Sequence, residues 1–362
     1  MKNLFMRFVT VVAAVLSMGS VWAGSRVSAT TSSESGAGPA ERYVVAYVAS
    51  WTTQRLPDPW LMTHINYAFG HVTATFDGVR VQEPDFLRRV VGLKAVNPRL
   101  KVVLSVGGWT SGNFSEMAAT KKTRRAFAKD CRRVVDEFGL DGIDIDWEYP
   151  TSNAAGISCS PDDTDNFTLL MHDLRSALGA DKLLTIATVA DAKYINLRDC
   201  MAYLDFVNIM AYDVANPPKH HTTLYRSELS GRITVSEAVE AHLAAGVPRE
   251  KLLLGMPLYG RGDHSNAVLD KFVKTGETGG RYFRRWDDVG KVPYLVDESG
   301  QLVWAFDNAV SLAYKCRYII EQGLRGGMYW ECTEDNDLLE GMRTIWQWLL
   351  SPLPTSPRRG EE

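Results

Sequence analysis

The sequence predicts an α/β chain closed into a (β/α)8 TIM barrel, and three observations predict it. Eight short apolar runs of strand type follow one another between Tyr43 and Trp330. Stretches of helical periodicity lie between them. A helix–glycine–strand phrase recurs at Gly139, Gly179, Gly246 and Gly323. Strands alternating with helices require crossover connections and hence a parallel sheet. Eight such units fit a closed barrel. An open doubly wound sheet is the runner-up. It would carry a glycine-rich phosphate turn after its first strand, and Ser50-Trp-Thr-Thr53 is not one.

The chain begins with Lys2 and Arg7, an apolar run from Phe8 to Leu16, and Val21-Trp-Ala23. That order reads as an export signal over residues 1–23, cleaved after Ala23, with the run too short to span a bilayer. Residues 24–42 are rich in Ser, Thr, Gly and Ala and read as a flexible linker. The catalytic barrel is expected over 43–350, and a disordered tail over 351–362. The protein is thus expected to be secreted or periplasmic, with no membrane span, and monomeric.

Within the barrel region the strand runs begin at Tyr43, His64, Leu100, Asp141, Leu183, Phe206, Leu252 and Gly327. A helix over 124–138 puts Phe127, Cys131, Val134, Val135 and Phe138 on one stripe. A second over 166–178 does so with Phe167, Leu170, Met171, Leu174 and Leu178. Thr234-Val-Ser-Glu237 is a capping box that opens a third. A fourth runs from Asn308 to Gln322.

The unusual stretch is Asp141-Gly-Ile-Asp-Ile-Asp-Trp-Glu-Tyr-Pro150. As a strand it sends Asp144, Asp146 and Glu148 to one face and Ile143, Ile145 and Trp147 to the other. Asp141 falls on the opposite parity and reads as structural. Carboxyls in a row repel, and such costs gather at functional sites. Oxygen ligands of this kind suit Mg²⁺ or Ca²⁺. They equally suit the general acid and neighbouring groups of a glycosidase. Trp51, Trp109, Tyr149, Tyr212, Tyr259 and Trp330 fall at the same ends of the strands, and aromatic faces suit pyranose rings better than metal ions. Sugar is therefore the better reading, with no metal and no cofactor.

Other classes carry less. The net charge of −3 leaves no basic footprint for nucleic acid. The five cysteines have no C-x-x-C spacing and read as mostly structural. His220 and His221 have no third ligand near them in sequence.

The chain resembles glycoside hydrolase family 18, the chitinases and their relatives, from about Tyr43 to Trp348. The D-x-x-D-x-D-x-E signature is Asp141, Asp144, Asp146 and Glu148, continuing as W-E-Y-P. S-x-G-G is Ser105, Gly107 and Gly108; M-x-Y-D is Met210, Tyr212 and Asp213; the closing tryptophan is Trp330. The resemblance implies that Glu148 protonates the glycosidic oxygen. The substrate's 2-acetamido oxygen then attacks C1. Asp146 orients the acetamide and shares a proton with Asp144, which Ser105 holds. Tyr212 hydrogen-bonds the acetamide, and Trp330 floors the −1 sugar. Gly108, Trp109, Met210, Tyr149, Asp213, Tyr259 and Arg261 are expected to complete the substrate-binding rim.

Larger members of the family carry an α+β insertion between strands seven and eight. Here about forty residues separate Arg261 from Trp304, so a reduced insertion and a more open cleft are expected. The implied partner is an N-acetylglucosamine oligo- or polysaccharide. The alternatives are an endo-β-N-acetylglucosaminidase acting on N-glycan cores and a non-catalytic sugar-binding barrel.

Overall fold

The computed structural model describes residues 41–262 and 282–351. The expected export signal, nearly all of the linker and the tail beyond Ser351 lie outside the described residues.

The fold opens with β1 (Tyr43–Ala49) and β2 (His64–Val72), which turns back on the short β3 (Val79–Val81). Then follow α1 (Pro84–Gly92), β4 (Lys101–Gly107), α2 (Phe114–Ala119), α3 (Lys121–Phe138) and β5 (Gly142–Asp146). Next come α4 (Asp163–Leu178), β6 (Leu183–Val189), α5 (Leu197–Cys200), β7 (Phe206–Met210), α6 (Val235–Ala244) and β8 (Leu252–Pro257). After β9 (Arg261–Gly262), β10 (Phe283–Asp287), β11 (Val292–Val296) and β12 (Leu302–Ala305), the chain ends with α7 (Ala309–Glu321), β13 (Gly326–Trp330) and α8 (Glu340–Leu350).

Eight parallel strands run in the hydrogen-bonded order β1-β13-β8-β7-β6-β5-β4-β2, and β1 pairs with β2 to close the ring. This is the (β/α)8 barrel that the strand–helix alternation predicts. Side-chain alternation divides the core in two. Val44, Ala46, Ile143 and Ile145 face outward into the layer between sheet and helices, which Phe127, Val135, Leu170, Leu174 and Ile345 share. Val45, Tyr47, Phe206, Leu253 and Met328 fill the barrel interior. Each fully buried side chain of this size contributes about 1.5–3 kcal/mol.

The helices start and stop where their sequences direct. The Thr120 hydroxyl accepts from the Thr123 amide and opens α3. Gly139 closes it in the left-handed region at φ 67°, where a side chain is strained. Thr234 and Glu237 form the reciprocal capping box of α6.

One boundary differs from the sequence reading. β5 ends at Asp146, and Glu148 sits on the turn beyond it. The cause lies outside the barrel. Trp147 is buried in the helical layer, stacked on Phe114 with ring centroids 5.3 Å apart and also touching Phe167. That anchor turns the chain out of the sheet after the Asp146 carbonyl has accepted from the Gly108 amide at 2.9 Å.

The segment between β8 and α7 forms a four-stranded antiparallel sheet among the described residues, in the order β10-β11-β12-β9. It is tied to the loop after β7. Ser227 Oγ donates to Asp287 Oδ2 at 2.5 Å, and the Leu224 amide donates to the Gly290 carbonyl at 2.8 Å. Beneath it, fully buried Lys315 of α7 donates to Asp307 at 2.5 Å and to Thr222 Oγ1 at 2.8 Å.

All five cysteines are unpaired; four are buried and Cys159 is exposed. No helix among the described residues is long and apolar enough to cross a membrane.

Candidate active site

Asp144 sits in the barrel interior, fully buried. Four strands reach it. Tyr47 Oη of β1 and Ser105 Oγ of β4 each donate to Oδ2 at 2.8 Å. Thr185 Oγ1 of β6 donates to Oδ1 at 2.6 Å, and Asn208 Nδ2 of β7 donates at 3.4 Å. Burial pushes the Asp144 pKa up, and these four bonds oppose it.

Asp146 lies one repeat further along the same face, 3% exposed, and its Oδ1 has no hydrogen-bond partner. Burial raises its pKa well above the usual carboxyl range, the charge of Glu148 adds to that, and Asp144 adds less. Both Asp144 oxygens accept from neutral donors, and Asp146 stands on the same face between Asp144 and Glu148.

Glu148 faces the cleft. Burial lifts its pKa to about 7 against the opposing hydrogen bond with Tyr149, and the negative charge of Asp213 raises it further. Its protonated form, the state a general acid needs, is thereby favoured below neutral pH.

The cleft above these acids encloses about 980 Å³. Asp146, Glu148, Tyr149, Trp109, Met210, Tyr212, Asp213, Tyr259, Arg261 and Trp330 all line it. Ten of the sequence-predicted site residues thus converge from β4, β5, β7, β8 and β13 and the loops that follow them. Asp144 lies beneath the floor. Ser105 and Gly108 are exceptions among the expected substrate-binding residues. Ser105 is buried under Asp144. Gly108, at φ 90°, backs onto Phe69, where a Cβ would come within 2.4 Å of the ring. Both support the floor and do not form it.

The aromatic lining has two parts. Trp51, Phe69 and Trp330 stack on one side, with Phe69 centred 5.7 Å from each of the other two. Tyr149 stacks on Tyr194 at 5.4 Å and meets Trp109 edge-on at 6.5 Å on the other. Tyr212 and Tyr259 meet edge-on at 6.1 Å. Burial pushes the Tyr212 hydroxyl well up, so it stays a neutral donor.

Asp213 is clamped from two sides. Arg261 donates to its two oxygens at 2.7 and 2.5 Å, and His221 Nδ1 lies 3.4 Å away. Against the effect of burial, these hydrogen bonds hold Asp213 well below the ordinary carboxyl range. His221 is thus a partner of Asp213. Among the described residues no group of His, Cys, Asp and Glu is arranged to hold a metal ion.

Sequence reasoning missed Tyr47, Phe69, Thr185 and Asn208. The signal was present for two of them. Thr185 and Asn208 are each the one polar side chain among the inward positions of its strand.

A half-buried acid above an aromatic trench, at the C-terminal ends of barrel strands, is the arrangement that the chemistry of glycoside hydrolases calls for. The comparisons carry this further: the model for glycosyl hydrolases family 18 matches residues 43–335, and the chain belongs to that family.

Among curated relatives, chitinase A1 of Niallia circulans is 34% identical over 83% of this chain and 48% of its own length. Mouse chitotriosidase-1 is 31% identical over 79% of this chain and 72% of its own. The chain thus spans about half of the first of these relatives. A solved family 18 N-acetylglucosaminidase from Paenibacillus barengoltzii superposes with a TM-score of 0.77 at 35% identity, covering 85% of this chain and 100% of that one. A chitinase from Rhizomucor miehei gives 0.76 at 28%, covering 85% and 100%.

Proposed function

We propose that this protein hydrolyses β-1,4-linked N-acetylglucosamine chains with retention, using the substrate's own acetamide as nucleophile. The carrying observation is the place of Asp146. It is buried, its Oδ1 has no partner, and it stands between Asp144 and Glu148 on one face, where burial and the neighbouring charges favour its protonated form. A carboxyl whose protonated form is favoured is a poor nucleophile toward C1. It is a good hydrogen-bond partner for an amide N–H. The nucleophile then comes from the sugar, in keeping with the substrate-assisted exception to two-carboxylate catalysis.

The residues divide the work accordingly. Glu148 gives its proton to the glycosidic oxygen as the C1–O bond breaks. The acetamide oxygen closes on C1 and forms an oxazolinium ion. Asp146 takes the acetamide N–H, and Tyr212 donates to the acetamide oxygen. Trp330 carries the sugar face. Glu148, now ionised, takes a proton from the water that opens the ring, so the acid is restored.

The test is hydrolysis of chitotetraose followed by proton NMR and mass spectrometry. The β-anomer appears first, and a chitobiose thiazoline inhibits far more tightly than chitobiose. Rapid cleavage after a glucosamine unit, or a glycosyl ester trapped on Asp146, overturns the mechanism.

The Paenibacillus barengoltzii structure, described as an N-acetylglucosaminidase and covered in full, favours a second reading of product size. Release of single sugars from chitotetraose selects it; release of dimers selects a chitinase. Action on N-glycan cores is not favoured, because the relatives reported above are named for chitin or N-acetylglucosaminidase action. Export rests on the charged and apolar order of residues 1–23. N-terminal sequencing of the mature protein tests it, with Gly24 as the expected first residue.

A further inference from the structure

The half of the cleft beyond Glu148 carries charge that a neutral chitin chain does not use. The loop after β6 presents Asp191, Lys193 and Tyr194, and the loop before α6 presents Arg232. All four line the same cleft as Glu148. Lys193 Nζ lies 2.7 Å from Asp191 Oδ2, and Arg232 Nη1 donates to the same oxygen at 2.6 Å. Two cations share one carboxylate, which leaves a surplus positive charge. The cations keep free faces: their side chains are 63% and 47% exposed, against 16% for Asp191. The other Asp191 oxygen is buried with no partner.

Their place in the barrel gives the charge a direction. Trp51, Phe69 and Trp330 follow or lie on β1, β2 and β13, which are neighbours in the ring. Tyr149 follows β5, and Lys193 and Tyr194 follow β6, across the barrel. With the bond-breaking sugar over Trp330, the leaving group extends past Tyr149 and Tyr194, which stack on each other. The sugar there meets Lys193 and Arg232.

Resting on the glycosidase reading above, we infer that the leaving-group side of the cleft selects a sugar bearing a carboxylate. A chitin unit offers only hydroxyl and acetamide groups, and protonated glucosamine is repelled. A carboxylate satisfies the unused donors of Arg232, whose planar fork matches it. Two chemistries supply one next to a β-1,4-linked N-acetylglucosamine: the 3-O-lactyl ether of a muramic unit, and the C5 carboxylate of a uronic acid. The bond broken is the same, so Glu148 and Asp146 act unchanged.

The experiment measures kcat/KM on three oligosaccharides: chitotetraose, an N-acetylglucosaminyl-β-1,4-N-acetylmuramic oligomer, and an N-acetylglucosaminyl-β-1,4-glucuronic oligomer. The readout is the ratio of acidic to neutral substrate. In the Lys193→Gln/Arg232→Gln variant this ratio falls by about tenfold, the weight of one charge-assisted contact. Arg232→Lys, which keeps the charge, retains most of it. In the wild-type protein the ratio falls as salt rises, because these cations are exposed. If the double variant does not fold, the salt series and Arg232→Gln alone read the same quantity. The acidic oligomer that is cut faster names the source of the carboxylate. A wild type that cuts chitotetraose but neither acidic oligomer overturns the inference and leaves the glycosidase standing. So does a ratio unmoved by substitution and salt. Failure on all three substrates overturns the glycosidase reading and this inference with it.

Discussion

The phenol of Tyr47 donates to Asp144 Oδ2 at 2.8 Å across the barrel interior, between residues 97 positions apart in sequence. This bond joins the first barrel strand to the strand that carries the acids. It is one of four that hold a fully buried carboxylate, so its loss leaves that charge undersatisfied. Tyr47→Phe is expected to cost about 1.5–3 kcal/mol, the range for hydrogen bonds to charged groups. Urea unfolding measures it. A change below about 0.5 kcal/mol, the scale of inert surface substitutions, would count against the assigned role.

Glu148→Gln keeps the shape of the acid and removes its proton. Turnover on chitotetraose is expected to drop by about 10²–10⁴. Binding of the oligosaccharide, followed by tryptophan fluorescence from Trp109 or Trp330, is expected to survive. A variant turning over within about threefold of wild type would assign the acid elsewhere.

The alkaline limb of the pH profile follows from the same residue. Glu148 is raised from 4.5 to about 7, so its protonated form persists below that pH and is lost above it. The kcat/KM is expected to fall by about tenfold per unit on the alkaline side. Asp213 contributes to the raised value through its negative charge. Asp213→Asn removes that repulsion, so the Glu148 pKa drops and the alkaline limb moves to lower pH. Movement to higher pH, or none, contradicts this coupling.

The buried pair Lys315–Asp307 behaves differently from a surface ion pair. Both side chains are about 1% exposed or less. Asp307→Leu alone leaves an uncompensated buried ammonium and is expected to cost about 3–5 kcal/mol. Lys315→Met/Asp307→Leu together is expected to regain most of that loss. Calorimetric unfolding of the wild type and the two variants checks it; equal losses in the single and double variants would refute the pairing.

The positions of these groups were unevenly legible. The alternation of Asp144 and Asp146 with Ile143 and Ile145 fixes which side chains face inward, because strand parity admits no other choice within β5. The glycines at 139, 179, 246 and 323 mark where helices give way to strands, and all four adopt positive φ. Short elements were not legible. Val79-Arg-Val81 is a strand only because β2 folds back on it, and a three-residue run carries no periodicity. The sheet of β9 to β12 was foreseen only as a shortened insertion.

The amino-acid sequence by itself determined the barrel, the inward row of acids and the aromatic rim, since all three are properties of local period and order along the chain. Tertiary structure decided what each acid is. Asp144, Asp146 and Glu148 have the same parity and nearly the same chemistry. One is satisfied by four distant donors, one is left without a partner on one oxygen, and one opens to the cleft. Ionisation depends on burial, neighbouring charge and hydrogen bonds. The groups that supply them come from strands scattered from Tyr47 to Asn208, so only closure of the barrel could assign them.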